Sequence, residues 1–195
     1  MKLYYSPGAC SLADHIAMHE AGLPLELVKV DLKTHKLEDG RSFLDINPKG
    51  YVPALQFDDG ELLTENVAIL SWVADQKPEL VPAGHLGRYR MLEMLAYFSS
   101  ELHKAFHPLF VPQASEADKR QARAAVEKKL RFVATQFKGP YLFGAHMSAA
   151  DAYLFVMLTW AMDMGLDVPD ALAAFAERMR ERAAVKQALA HEGLE

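Results

Sequence analysis

The chain has 195 residues, of which 51% are hydrophobic and 24% charged, with a formal net charge of −5 and a single cysteine. That length suits one large or two small domains, and the acidic balance argues against nucleic acid or an anionic membrane surface as a partner. One cysteine excludes an intramolecular disulfide and a thiolate-rich metal centre, in keeping with a reducing cytoplasm.

At the start of the chain, Leu3-Tyr4-Tyr5 reads as a short strand, and Pro7-Gly8 marks a turn. The opening Met1-Lys2-Leu3-Tyr4 meets that turn too early for a signal peptide, and no apolar run reaches the ~18 residues of a membrane span. Leu12, Ile16, Ala17 and Glu20 then recur at helical spacing, which places Cys10 and Ser11 at a helix mouth just past a strand. Free N–H groups and the helix dipole gather there, and such a setting lowers a thiol to roughly 3.5–7.5. The same residues also read as an N-cap serine beside a small buried cysteine.

Gly22 and Pro24 stop the first helix, and Leu25 to Val30 form the second strand. The polar stretch from Asp31 to Gly40 has weak helical content near Leu37. Val52 to Phe57 is a strand entered through proline, and Asp59-Gly60 joins it antiparallel to Glu61–Thr64. A helix begins near Glu65 or Asn66 and carries Val67, Leu70, Val73 and Ala74. A helical crossover between the first two strands makes them parallel, so residues 1–76 form an α/β domain with a mixed four-stranded sheet. Residues 77–86, rich in proline and glycine, read as a linker.

Residues 87–195 are helical in pattern throughout, an all-α domain. Leu92, Leu95, Ser99, Leu102 and Phe106 repeat at three and four, as do Val126, Leu130, Val133 and Phe137. Ser148-Ala149-Ala150-Asp151 is a capping box with Asp for Glu, ahead of a helix over Ala152 to Met164. Pro169 opens another helix reaching Arg182, and Val185 and Leu189 mark a short final one.

Two stretches of the first domain suit ligand capture. X-Pro bonds are trans in all but about 5–6% of cases, yet Val52-Pro53 leads from a Pro-Lys-Gly turn straight into a strand. A cis bond there would turn the Val52 N–H and C=O outward, able to take an extended peptide as an added strand. Glu65-Asn66 would offer free N–H groups to a carboxylate and a side-chain carboxylate to an ammonium, although plain helix capping also accounts for the pair.

Taken together, Tyr4 to Ser11, Asn47 to Leu55, Asp58-Asp59-Gly60, Leu63-Thr64-Glu65, Glu101 to Lys104, Ser148 to Tyr153 and Glu192-Gly193-Leu194 resemble a bacterial glutathione transferase of the beta class along the whole length. The resemblance implies a thioredoxin-like first domain, an all-helical second domain and a homodimer. It also implies glutathione as co-substrate, with a small hydrophobic electrophile held between the domains. By position, Cys10 would contact the glutathione sulfur and form a mixed disulfide with it, Ser11 would donate to the thiolate, and His103 would reach the sulfur with Lys104 beside it. Val52 would pair its backbone with the cysteinyl part, with Tyr51 and Pro53 also binding glutathione, Glu65 and Asn66 would hold the γ-glutamyl end, and His35 and Lys36 would add positive charge. Asp151 would fix a helix start.

Residue 66 is Asn where the family often has Ser or Gly, Ala96 stands where an Asn is expected, and His35 replaces a Lys. One missing hydrogen bond costs about 0.5–1.5 kcal/mol, so glutathione affinity is expected below that of relatives keeping those groups.

His103 and His107 stand four apart, a spacing that can bind metal, but without further ligands His107 is an ordinary helix-end residue and no metal is expected. Tyr5 belongs to sheet packing. Phe106, Phe110 and Trp160 are candidates for the hydrophobic pocket, or for the core. The implied reaction is attack of the glutathione thiolate on an electrophilic carbon. Two alternatives share the fold: monothiol glutathione-dependent disulfide exchange through Cys10, and a ligand-binding scaffold without turnover.

Overall fold

The computed structural model describes residues 1–194. Its first half runs β1 (Lys2–Tyr5), α1 (Leu12–Glu20), β2 (Glu26–Asp31), β3 (Lys36–Leu37), β4 (Ala54–Gln56), β5 (Leu62–Thr64) and α2 (Asn66–Gln76). The sheet has five strands in the order β3-β2-β1-β4-β5, one more than the sequence suggests. The addition is β3, a two-residue edge strand that pairs Leu37 with Val30 antiparallel, where helical content was expected. β1 pairs with β2 in parallel, Leu3 opposite Leu27, and with β4 antiparallel, Leu3 opposite Leu55. Leu55 in turn faces Leu63 of β5 across the hairpin turned by Asp59-Gly60.

One face of the sheet presents Leu3 and Leu55 to α1 and α2, which bury Leu12, Ile16, Ile69, Leu70 and Val73 against them. A second, smaller cluster of Tyr4, Val30, Phe43 and Val52 fills the other face.

After a single 3₁₀ turn at Pro78–Leu80 the helical half follows: α3 (Gly87–Tyr97), α4 (Lys104–Phe110), α5 (Glu116–Gln136), α6 (Ala149–Asp163), α7 (Asp170–Arg180) and α8 (Ala183–Glu192). A π-helical turn over Phe98–His103 separates α3 from α4. The apolar repeat through this region reads as one uninterrupted helix in the sequence; a π turn inserts an extra residue without breaking it and rotates everything downstream. α6 starts three residues earlier than its apolar run implies, at Ala149. Asp151 accepts from the Ser148 N–H at 2.7 Å and the Leu142 N–H at 2.8 Å, the reciprocal box that fixes that start. Almost all of α6 is buried, and it packs against α1 and α2 as well as α3 and α7. The core therefore runs without interruption from Leu3 in the sheet to Leu189 in α8. Among the described residues no helix is long and apolar enough to cross a membrane.

Candidate active site

The loop between β1 and α1 carries the chain's one cysteine, and both halves of the molecule hold it. Gly8 has φ 70°, a left-handed conformation that glycine adopts without penalty. Its N–H donates to Glu192 Oε2 at 2.9 Å, and its C=O accepts from Trp160 Nε1 at 2.8 Å. Cys10 follows, half-buried, with its S–H donating to the Val52 carbonyl at 3.4 Å. Burial pushes the Cys10 thiol up to about 12, and the nearby Asp14 adds to it; the Cys10 and Ser11 N–H groups pull only partly the other way. Of the two readings of the helix mouth, this favours the buried cysteine over the depressed thiol. A helix mouth lowers a thiol when the sulfur is solvated, and here the loss of solvent outweighs the N–H groups. Asp14, fully buried, is itself raised well above the usual carboxylate range and carries one oxygen without a partner.

Ser11 turns into its own loop. It is fully buried, with its Oγ 3.3 Å from the Ser6 N–H, and it makes no side-chain cap to the helix. The expected serine donor is therefore directed into the loop it stabilises.

The opposite wall comes from the turn before β4, to which the start of α2 is tied through Glu65. The Val52-Pro53 bond is cis, and no group among the described residues pairs with the Val52 N–H, since β4 begins at Ala54. Glu65 sits immediately before α2 with φ 74° and ψ 126°, a conformation that costs a non-glycine residue about 1–3 kcal/mol. Its carboxylate accepts from Lys49 Nζ at 2.6 Å and from the Tyr51 hydroxyl at 2.8 Å, which holds it below the usual carboxylate range. Lys49 was visible only as part of a turn motif; the fold makes it the partner of Glu65. The Asn66 side chain turns inward, donating to the Cys10 carbonyl at 2.9 Å and to Asp14 Oδ2 at 2.8 Å. It braces the thiol loop, and only its backbone N–H remains on the ligand side.

His103 approaches from the helical half. The π turn delivers it to the cavity, where its ring lies 5.0 Å from that of Trp160. Its Nδ1 stands 2.8 Å from the Tyr153 hydroxyl, and burial lowers its basicity below the ordinary imidazole value. Tyr153 is almost fully buried and its phenol is pushed upward, so it keeps its proton. A phenol O–H donating to Nδ1 leaves the imidazole proton on Nε2. Sequence reasoning assigned Tyr153 no role, although it follows the capping box by two residues.

Cys10, Tyr51, Val52 and His103 surround one cavity of about 500 Å³, with Phe110 and Trp160 as its aromatic wall. Phe106 is fully buried behind them, its ring 5.5 Å from Trp160, and belongs to the core. Lys104 and His107 open instead onto a separate cavity of about 460 Å³ toward α5. Lys104, one residue past His103, does not line the Cys10 cavity. Ala96 is exposed on α3 and lines no part of the Cys10 cavity. Pro53 is buried, and Lys36 is exposed on the edge strand. His35, at φ 52°, packs against Gly50, and its Nδ1 is buried without a partner. Tyr5 is 8% exposed, inside the sheet packing.

Residues 9–76 match the family described as the N-terminal domain of glutathione S-transferase, and residues 97–183 match its C-terminal domain. The chain is 47% identical to the glutathione S-transferase GstA of Escherichia coli O157:H7 and 40% identical to GST-4.5 of Xanthomonas campestris, in each case over the full length of both proteins. Among solved structures, BphK, a bacterial transferase in a ternary complex, superposes with a TM-score of 0.94 at 50% identity over the whole of both chains. A sphingomonad glutathione S-transferase complexed with glutathione gives 0.93 at 49%, again over both entire chains.

Proposed function

Since the chain belongs to the glutathione S-transferase family, we propose that its own residues join the glutathione thiolate to hydrophobic electrophiles in the cavity between sheet and helices. Glutathione is the co-substrate of this transferase. The observation that carries the assignment of roles is the convergence of Cys10, Val52 and His103 on one cavity, with the strained Glu65 joined to it through Tyr51.

The unpaired Val52 N–H and the Val52 carbonyl take the cysteinyl backbone of glutathione as an added strand. The carbonyl exchanges its contact with the Cys10 S–H for one with the ligand. Glu65 accepts the γ-glutamyl ammonium while the Asn66 backbone N–H, at the start of α2, faces the α-carboxylate. Lys49 and Tyr51 hold the Glu65 carboxylate in place for that ammonium.

The sulfur then lies between two neutral donors, the Cys10 S–H and the His103 Nε2–H. Each hydrogen bond favours the thiolate over the thiol and lowers the glutathione pKa. Cys10 acts here as a protonated donor. The thiolate attacks the electrophilic carbon, a C–S bond forms, and the leaving group departs into the open side of the cavity. Phe110 and Trp160 supply apolar surface for a flat or hydrophobic electrophile. The functional unit is a homodimer. A raised thiol is a poor nucleophile at neutral pH, which weighs against disulfide exchange through Cys10 as the main activity.

The test is thioether formation between glutathione and an activated aryl halide at varied glutathione concentration, for the wild type and Cys10→Ala. The reading expects turnover that saturates with glutathione, and a Cys10→Ala variant that keeps it at kcat/KM reduced about 2- to 13-fold, the loss of one hydrogen bond. Absence of saturable turnover would overturn it, and complete loss on removing Cys10 would make the cysteine the nucleophile.

A further inference from the structure

Where α8 docks onto α1, outside the lining of the cavity, three imidazoles converge. His15 and His19 stand four apart on one face of α1, and His191 comes from the last turn of α8. One ring nitrogen of each lies within 4.8 Å of the other two. His15 and His191 rings stack with centroids 5.6 Å apart, and His191 Nδ1 is 3.4 Å from His15 Nε2. A tetrahedral ion with metal–nitrogen distances of about 2.0–2.1 Å needs ligand nitrogens about 3.4 Å apart, so this pair already has the required span.

Three further features suit a cation. The Nε2 of His19 is buried and has no hydrogen-bond partner, a cost of about 1–3 kcal/mol if nothing binds it. His15 Nδ1 is 2.9 Å from Glu192 Oε1, and both side chains are fully buried. A carboxylate accepting from one nitrogen of a ligating histidine orients the ring and makes its other nitrogen a better donor to metal. Finally, α1 and α8 both end here, with His19 and His191 in their last turns, and the negative ends of two helix dipoles favour positive charge. Glu20 beside His19 is held by Arg182 through two hydrogen bonds of 2.5 and 2.7 Å, so it is not a ligand, and the exposed side at His191 leaves room for water.

We propose that His15 Nε2, His19 Nε2 and His191 Nδ1 bind a divalent transition-metal ion of the zinc type, with Glu192 behind His15 and water completing the tetrahedron. The ion sits away from the sulfur and takes no part in turnover. It staples α8 to α1, and Glu192 carries the link onward to the Gly8 N–H.

The test uses the full chain, freed of metal with a chelator and titrated with Zn²⁺ against a chromophoric competitor, with Co²⁺ as the spectroscopic probe. The wild type should bind one ion per chain, give the intense visible bands of tetrahedral cobalt, and melt at a higher temperature with Zn²⁺ than without. His191→Ala, at an exposed position, should weaken binding by about tenfold or more and abolish both the cobalt bands and the thermal shift. His19→Gln should do the same, and His107→Ala should leave all three unchanged. Undiminished affinity in His191→Ala, a weak octahedral cobalt spectrum, or no binding by the wild type would each overturn the proposal. If His19→Gln does not fold, His191→Ala decides.

Discussion

Alkylation of Cys10 by iodoacetamide reads its ionisation directly, because only the thiolate reacts. A free cysteine titrates near 8.5, and burial holds Cys10 at about 12, a gap of about 3.5 units. At neutral pH that gap lowers the thiolate fraction by about 3,000-fold. A more basic thiolate is also more nucleophilic, with a Brønsted slope of about 0.4–0.5, which returns a factor of about 40. The net expectation is a rate about 100-fold below that of a small free thiol, before any steric loss from the half-buried position. Intact-mass measurement over time, from about pH 6.5 to 9.5, supplies the rates; within that range the rate should climb about tenfold per pH unit with no plateau. Glutathione disulfide should obey the same dependence as it transfers one glutathionyl group to the Cys10 sulfur and releases glutathione. A plateau just above neutrality, or a rate matching the free thiol, would refute the argument and restore the helix mouth as the controlling influence.

Tyr153→Phe keeps the buried ring and removes the hydroxyl that holds His103 Nδ1. Without it the imidazole proton is free to occupy either nitrogen, so kcat should fall about 5- to 30-fold, or ~1–2 kcal/mol, with little change in the glutathione KM. An equal rise in KM at constant kcat would show that the hydroxyl serves binding instead. Asp151→Ala leaves the Ser148 and Leu142 N–H groups without their acceptor in a buried setting and should destabilise the fold by about 3–5 kcal/mol in urea unfolding. Burial raises Asp151 to about 6 against about 3.9 in an unfolded chain, so the folded state binds the proton more tightly. The stability advantage of the wild type over Asp151→Asn should therefore shrink by about 2 kcal/mol as the pH rises from about 4 to 6. An advantage that grows over that range would contradict the sign.

The βαβ start and the hairpin were legible because their apolar periods and the Asp59-Gly60 turn are local signals. β3 was not, because two residues have no period and the strand exists only through Val30 and Leu37 meeting. The π turn was hidden for the opposite reason: apolar positions continue through it, buried at Phe98 and Leu102, so the pattern of a plain helix is preserved. At the site, Cys10, Val52, Glu65 and His103 stand in motifs that locate them along the chain. The direction each neighbouring side chain takes is a tertiary matter. Asn66 turns inward because Asp14, itself buried, needs a donor. Ser11 turns inward because the Ser6 N–H needs an acceptor. The histidine cluster was equally out of reach, since His191 lies 176 residues from His15 and only the docking of α8 onto α1 brings them together.

The peptide of Gly8 is gripped at both ends, its N–H by a residue 184 positions away and its C=O by one 152 positions away. Closing loops of that length is among the slowest and most entropically opposed events available to a folding chain. The sheet and its two helices can gather from nearer contacts, but the loop that seats the sulfur is set only when the helical half has closed over it. A chain caught part-way, with native-like sheet and helices and its halves not yet joined, would have every residue of the site and no site. Recovery of turnover during refolding is thus a clock for the final docking step, and it runs behind any signal that reports helix content alone.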